Sequence, residues 1–307
     1  MPDASDVPCP DTAAIRTQAE QTAHREHAVP LFLTSSFTFE GAEHARALFA
    51  QEAEGNIYSR FTNPNVAEFV AKMCALERAE DGLATASGMA AVFATFGALL
   101  ASGDAVLSAR AIFGSTHKLL TQILPKWGID HAYGDIADLD AWEALVTPQT
   151  KICYVETPSN PTLDLVDLQR LGAFCEAHDL ILVVDNCFAT PVLQRPTDYG
   201  ADLVVHSATK YIDGQGRGVG GVVVGRAEYI EEIRFFARHT GPCLSPFNAW
   251  MFSKSLETLD IRMEKHSRNA RAVAEFLEAH PEVETVRYPH LPSHPQYDLA
   301  RRQMRLG

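Results

Sequence analysis

The chain has 307 residues, of which 46% are hydrophobic and 21% charged, a composition typical of one large globular domain plus part of another. Its 26 basic and 39 acidic residues give a net charge of −13, which argues against nucleic acid and anionic membranes as partners. It has no apolar run of about 18 residues or more and no basic-then-apolar leader. We therefore expect a soluble, cytoplasmic protein. Its six cysteines form no C-x-x-C pair, which favours reduced thiols over a metal site or a disulfide framework.

Residues 1–60 have weak periodicity, with one short helix predicted at 42–51, and we interpret them as an arm. From 61 to 245, helical and strand patterns alternate, which predicts an α/β domain whose mostly parallel sheet is flanked by helices. The predicted helices of this domain are 66–76, 88–100, 115–124, 139–146 and 168–178. The predicted strands are 105–107, 152–155, 181–184, 203–205 and 221–224.

The last part of the chain, residues 246–307, has a mainly helical pattern. Its predicted elements are helices at 248–259, 261–280 and 296–304 and one strand at 281–288. A domain with one strand cannot close a sheet. We therefore expect this region to contain linking helices and the start of a truncated, incomplete C-terminal α/β domain.

Two predicted strand ends lead into polar side chains of complementary chemistry. Asp185 follows the strand at 181–184, and Lys210 comes shortly after the strand at 203–205. Ligands of open α/β sheets lie at the carboxyl ends of strands, so both side chains are expected to face one pocket. A lysine can form a Schiff base with a carbonyl cofactor, and a carboxylate can keep a pyridine nitrogen protonated. Pyridoxal phosphate needs both; the plain alternative is a solvated lysine and a helix-capping aspartate.

The sequence also offers groups for the phosphate of such a cofactor. Ser207 and Thr209 place hydroxyls on either side of the lysine, and a glycine-dense turn that permits close backbone approach follows them. Upstream, Ser87, Gly88 and Met89 open a predicted helix, whose free N–H groups and positive dipole end bind anions. An ordinary N-cap is an equally good interpretation of Ser87.

The chain resembles the pyridoxal-phosphate enzymes of cysteine and methionine metabolism over nearly its whole length. The shared segments are YSR at 58–60, SGM at 87–89, ETPSNP at 156–161, DN at 185–186 and SATK at 207–210. Within that family it is most similar to the O-succinylhomoserine sulfhydrylases, through residues 206–218 and 241–263. The resemblance implies the fold type I of pyridoxal-phosphate-dependent transferases, similar to aspartate aminotransferase, and a homotetramer built from dimers with shared active sites.

The resemblance also implies roles for the candidate residues. Lys210 would carry the cofactor and move protons between substrate carbons, while Asp185 would keep the ring nitrogen protonated. The residues that would bind the phosphate are Ser87, Gly88, Met89, Ser207 and Thr209. Asn160 would hydrogen-bond the phenolic oxygen of the cofactor, although a turn-forming asparagine is an equal alternative. His206 is interpreted as a core histidine, and no residue is assigned to the substrate carboxylate.

Tyr58 and Arg60 lie far from the other motifs in sequence. In the resembled family the arm and this loop cross to the neighbouring subunit, so both residues would reach the phosphate of its cofactor, which suits the bidentate chemistry of arginine. Without the resemblance, Arg60 would be interpreted as a surface arginine.

Phe113 stands where much of the wider family has a tyrosine that stacks on the pyridine ring. Phenylalanine stacks but donates no proton. A thiol leaving group, with a pKa of roughly 8.5, benefits from a nearby acid, whereas a carboxylate, with a pKa of roughly 4.3, departs unaided. Phe113 therefore favours loss of succinate or acetate over loss of a thiol.

The resemblance implies a metal-free γ-replacement on O-succinylhomoserine by sulfide, giving homocysteine and succinate in methionine biosynthesis. A cystathionine γ-synthase or an O-acetylhomoserine sulfhydrylase is the alternative, and a cystathionine or methionine γ-lyase is disfavoured by Phe113. Outside the family, the glycines at 214–218 suggest a dinucleotide-binding dehydrogenase, but they do not open a helix. A non-catalytic scaffold would not need Lys210 and Asp185.

Overall fold

The computed structural model describes residues 9–307, so the first eight residues of the predicted arm lie outside the described part. The strands of its sheet are β1 (Asp81–Thr85), β2 (Ala105–Ala109), β3 (Asp130–Gly134), β4 (Thr150–Glu156), β5 (Ile181–Asp185), β6 (Leu203–Ser207) and β7 (Gly221–Gly225). Their order is β1-β7-β6-β5-β4-β2-β3. β7 runs antiparallel to its neighbours β1 and β6, and the remaining pairs are parallel.

Helices cover this sheet. The α-helices are α1 (Pro10–Arg16), α2 (Ala42–Phe49), α3 (Pro64–Glu77), α4 (Gly88–Leu99), α5 (Gly114–Lys118), α6 (Leu168–Ala177), α7 (Thr190–Leu193), α8 (Ala227–Thr240), α9 (Pro246–Leu256), α10 (Leu259–Glu278) and α11 (Tyr297–Gln303). All five residues of β7 are buried, and successive strand residues point to opposite faces, so both faces of the sheet are covered. The predicted α/β fold with a mostly parallel sheet is confirmed. Among the residues described, no helix is both long and apolar enough to cross a membrane.

The structure corrects three predicted elements. The helix expected at 115–124 begins as α5 but continues as a π-helical turn at Leu119–Ile123 and a 3-10 turn at Leu124–Trp127, where Pro125 lacks the N–H that an α-helix needs. The helix expected at 139–146 is a 3-10 helix, Leu139–Leu145. The strand expected at 281–288 is wrong, since these residues form turns and irregular chain that pairs with no strand of the sheet.

The last helix, α11, fixes the path of the loop that follows β4. The Leu165 N–H donates to Gln296 Oε1 at 2.7 Å, and Gln296 Nε2 donates to the Leu165 carbonyl at 2.6 Å. Gln303 binds the Leu168 N–H at 2.8 Å and the Val166 carbonyl at 3.0 Å in the same way. Each side-chain amide thus accepts one hydrogen bond from the backbone and donates one to it, as the backbone of a neighbouring strand would.

A buried polar network joins the end of α3 to the ends of β5 and β6. Glu77 is fully buried, and its Oε1 accepts a hydrogen bond from Asn186 Nδ2 at 2.9 Å and lies 2.7 Å from His206 Nε2. Asn186 directly follows Asp185, and His206 directly precedes Ser207. One carboxyl group therefore holds the two strand ends in a fixed relation. His206 is a buried core residue, as the sequence indicated.

We expect Glu77→Ala to lower the free energy of unfolding by about 3 kcal/mol, because the Asn186 amide and the His206 ring lose a buried acceptor and each unsatisfied group costs about 1–3 kcal/mol. Urea denaturation followed by circular dichroism measures this change. Glu231→Ala, at an exposed glutamate of α8, is the control and should stay within about 0.5 kcal/mol of the parent. An unchanged midpoint for Glu77→Ala would mean that the network does not support the strand ends.

Candidate active site

Asp185 and Lys210 stand at the carboxyl ends of adjacent parallel strands. Asp185 is the last residue of β5 and lies opposite Val205 of β6. After β6 ends at Ser207, the chain turns, and the Lys210 N–H donates to the Ser207 carbonyl at 3.2 Å. The Lys210 residue is exposed, so its amine is accessible to a ligand at this edge of the sheet.

Two donors hold the carboxyl group of Asp185. The Cys187 N–H donates to Oδ1 at 3.0 Å, and the Tyr154 hydroxyl donates to Oδ2 at 3.2 Å. Burial raises the pKa of Asp185, and the Cys187 N–H opposes this shift by stabilising the charged form. Burial also raises the pKa of Tyr154, so its hydroxyl keeps the proton it donates. A tyrosine inside an apolar strand gives no functional signal, so the role of Tyr154 is visible only in the structure.

The N-terminus of α4 lies against the end of β6. Ser87 is its N-cap, with Oγ accepting from the Ala90 N–H at 3.1 Å. Gly88 and Met89 occupy the first turn, whose N–H groups find no acceptor within the helix. A Cβ on Gly88 would lie 2.7 Å from the Cβ of Ser207, so a glycine is needed for this close approach. The result is a set of free backbone donors beside a hydroxyl, which suits an anion.

Thr209, the other predicted hydroxyl, is placed differently from Ser207. Its Oγ1 accepts from the Gly220 N–H at 3.2 Å and donates to the Gly220 carbonyl at 3.3 Å. The Thr209 hydroxyl therefore fixes the backbone that leads into β7, and a phosphate contact would have to be made alongside these two long hydrogen bonds.

Glu156, the last residue of β4, is hydrogen-bonded to the loop that carries Phe113. It is 5% exposed, and its Oε2 accepts from the Phe113 N–H at 2.5 Å. Burial and the charge of Asp185 raise the pKa of Glu156 to about 8. Phe113 is 42% exposed at the N-cap of α5. Glu156 belongs to the ETPSNP motif, but the motif alone does not indicate what its carboxyl group binds.

Tyr58 and Arg60 stand apart from this group. Tyr58 pairs with Ser36 through an isolated β-bridge, and the Arg60 guanidinium donates to the carbonyl of Arg238 on α8. Arg60 also lies over the Phe61 ring, 4.6 Å from its centroid. None of their hydrogen bonds or ring contacts within residues 9–307 reaches the residues around Lys210. Their expected service to a neighbouring subunit stays a prediction.

The arrangement fits a phosphorylated, planar, carbonyl-bearing cofactor. The start of α4 and the Ser207 hydroxyl suit a phosphate, the Asp185 carboxyl group suits a ring nitrogen, and the exposed Lys210 amine suits an aldehyde. These groups lie at the carboxyl ends of the parallel strands. β5 and β6 are hydrogen-bonded neighbours, and α4 contacts β6.

Comparison with known proteins agrees with this chemistry. The model of the family described as "Cys/Met metabolism PLP-dependent enzyme" matches residues 11–307. The O-succinylhomoserine sulfhydrylase of Pseudomonas aeruginosa is 53% identical over 293 residues, which cover 95% of this chain and 73% of that protein. The L-methionine gamma-lyase of Treponema denticola is 42% identical over 283 residues, covering 91% of this chain and 71% of that protein.

Among solved structures, a putative O-acetylhomoserine (thiol)-lyase of Campylobacter jejuni contains N'-pyridoxyl-lysine-5'-monophosphate. It matches 96% of this chain and 82% of its own, with a TM-score of 0.92 and 31% identity. The expected fold and cofactor are therefore confirmed. The chain belongs to the pyridoxal-phosphate-dependent enzymes of cysteine and methionine metabolism.

Proposed function

We propose that the protein replaces the succinate of O-succinylhomoserine with sulfide, giving homocysteine and free succinate. The proposal rests on the placement of Asp185 and Lys210 after the carboxyl ends of adjacent strands, in a chain that is 53% identical to an O-succinylhomoserine sulfhydrylase. An O-acetylhomoserine sulfhydrylase or a cystathionine γ-synthase would use the same residues with another ester or another nucleophile, and these remain the alternatives.

Bound pyridoxal phosphate supplies an electron sink that acidifies the protons on the substrate carbons near its amine. Asp185 would face the ring nitrogen and keep it protonated, with its own carboxyl group fixed by Cys187 and Tyr154. The Lys210 amine would hold the aldehyde of the cofactor and would move a proton from the α carbon of the substrate. Loss of a β proton then expels succinate from the γ carbon, sulfide adds there, and the protons return.

The other candidate residues would bind and orient the cofactor. Gly88 and Met89 would give backbone N–H groups to the phosphate, with the Ser207 hydroxyl beside them. Phe113 would stack on the ring, and Asn160 would hydrogen-bond the phenolic oxygen. Phe113 brings no proton for a leaving group, which suits a carboxylate that departs as an anion.

Product analysis tests the reaction. Given O-succinylhomoserine and sulfide, the purified cofactor-loaded protein should release homocysteine and succinate in equal amounts, resolved by chromatography and mass spectrometry. The same assay with O-acetylhomoserine, or with cysteine in place of sulfide, ranks the alternatives. Formation of cystathionine from cysteine with no homocysteine from sulfide would overturn the sulfhydrylase proposal.

The effect of Phe113 on the leaving group is separately testable. Phe113→Tyr adds an acid beside the reacting carbons, so we expect release of a thiol from methionine or cystathionine to rise about tenfold relative to succinate release. Phe113→Leu, which adds no proton, is the matched control and should show no such rise. Rates for both substrates are compared as kcat/KM. Equal changes for the two leaving groups would contradict the proposed role.

We also propose that the active site is shared between two copies of the chain. The arm and its neighbouring helix leave large apolar side chains exposed, among them Leu33, which is 69% exposed, and Phe49. Arg60 contacts an aromatic ring and a backbone carbonyl but forms no salt bridge with an acidic side chain within the described residues. Its positive charge is therefore available to bind a phosphate. Both observations suit an arm that packs on a second subunit.

Subunit mixing tests the shared site. Arg60→Ala and Lys210→Ala should each be inactive alone, because each removes one half of every site. After denaturation and refolding of an equal mixture, half of the dimers are hybrids with one intact site, so about a quarter of the parent activity should return. Refolded parent protein is the control. No recovery in a mixture that forms hybrids would place Arg60 and Lys210 in the same subunit's site.

A further inference from the structure

We propose that Asn63 and Asn65 are positioning residues, whose buried side-chain amides fix the loop of Tyr58 and Arg60 to an upstream part of the arm. The inference rests on the proposed shared site, in which this loop binds the phosphate of the second subunit's cofactor. Both asparagines act through the backbone of the two segments that they join.

The Tyr58 loop, residues 57–62, leads directly into α3. Asn63 is the N-cap of α3, and its Oδ1 accepts from the Asn65 N–H at 3.0 Å, while Pro64 fills the first helical position. Asn63 and Asn65 are each only 1% exposed. Their amide groups are shielded from water and therefore need partners within the protein.

The amide nitrogen of Asn63 joins the loop to the arm. Nδ2 donates to the Phe32 carbonyl at 3.0 Å and to Ser59 Oγ at 3.0 Å. Phe32 belongs to the arm segment, which we define as residues 30–37, and Ser59 directly follows Tyr58. One buried NH₂ group therefore fixes the distance between the arm segment and the loop.

Asn65 binds the same part of the arm. Its Oδ1 accepts from the Phe32 N–H at 2.8 Å, and its Nδ2 donates to the Pro30 carbonyl at 2.8 Å. Asn65 thus binds the N–H of Phe32, while Asn63 binds its carbonyl. Both polar backbone groups of one arm residue are satisfied by buried side chains at the start of α3.

Backbone hydrogen bonds also connect the arm segment with the Tyr58 loop. The Ser59 N–H donates to the Ser35 carbonyl at 2.8 Å, and the Phe37 N–H donates to the Ile57 carbonyl at 3.1 Å. These four residues are exposed or half-buried, so water competes for their hydrogen bonds and such bonds open readily. The fully buried asparagine amides are therefore the groups that determine where the loop lies.

The arm segment and the loop thereby form one unit. Leu33 of the arm segment is 69% exposed, and Arg60 of the loop is also exposed. When Leu33 packs on a second subunit, the position of Arg60 is set as well, and the loop needs no separate ordering.

Asn63→Ser tests the role of the amide nitrogen. Serine caps a helix as well as asparagine does, so α3 keeps its start, but the variant lacks the Nδ2 donor. We expect the dissociation constant for pyridoxal phosphate to rise about tenfold, because a displaced Arg60 loses a charge-assisted hydrogen bond to the phosphate. The dissociation constant for pyridoxal, which has no phosphate, should stay unchanged. Absorbance titrations of the cofactor-free protein measure both. Asn269→Ser, at an exposed asparagine of α10, is the matched control and should keep the parent's values.

A double variant shows whether Asn63 acts through the loop. Arg60→Ala alone should raise the dissociation constant for pyridoxal phosphate at least about tenfold, and Asn63→Ser in that background should add only about twofold. Ser59→Ala leaves α3 untouched and removes one acceptor of the Asn63 amide, so it should give a smaller rise, about threefold. This variant decides the question if Asn63→Ser does not fold.

Four results would overturn the proposal. They are parental affinity for pyridoxal phosphate in Asn63→Ser, or in Ser59→Ala where that variant decides; an equal rise for pyridoxal, which would mark a purely structural role; a full tenfold effect that persists beside Arg60→Ala; and parental affinity in Arg60→Ala itself. Only the last of these would also refute the proposed phosphate contact of Arg60. No substrate enters these titrations, so a protein that passes them but makes no homocysteine would refute the sulfhydrylase proposal and leave the role of the asparagines standing.

Discussion

The parallel hydrogen bonding of β5 with β6 is the constraint on which the site depends. It places the carboxyl ends of both strands side by side. Asp185 and the turn that carries Lys210 are therefore neighbours without a long connecting loop. Glu77 stabilises this alignment, because its carboxyl group binds Asn186 at the end of β5 and His206 at the end of β6. A ligand at this edge is therefore held by backbone whose position the core of the sheet already fixes.

Burial gives this edge its acid–base character. Asp185 and Glu156 lie side by side at the ends of hydrogen-bonded strands, and removal from water raises the pKa of both carboxyl groups. Backbone N–H donors from Cys187 and Phe113 offset part of that cost. The sheet thus supplies two neighbouring acids whose pKa values are both raised, and a cationic ring nitrogen would favour the charged form of Asp185.

The sequence predicted the fold wherever apolar β-branched runs were long, as in β5, β6 and β7. It missed β1 and β3, whose sequences DGLAT and DHAYG contain few β-branched residues, and it missed α8 directly after β7. The strand expected at 281–288 failed because alternation alone does not supply a hydrogen-bonding partner. In the site, motifs identified the residues at strand ends and at the start of α4. Glu77, Tyr154 and the bonds of Glu156 escaped, since they depend on contacts between residues far apart in sequence.

The place of β7 in the sheet has a consequence for biosynthesis. β1 is an outer strand of the sheet and pairs only with β7. Residues 81 and 225, which are far apart in sequence, are therefore paired. α4, which follows β1, also contacts β7, and Gly221 packs so tightly against Ser87 that an added Cβ would lie 2.2 Å from its carbonyl oxygen. The packing of β7 against the anion-binding turn can therefore form only after the seventh strand has left the ribosome, late in the synthesis of this domain.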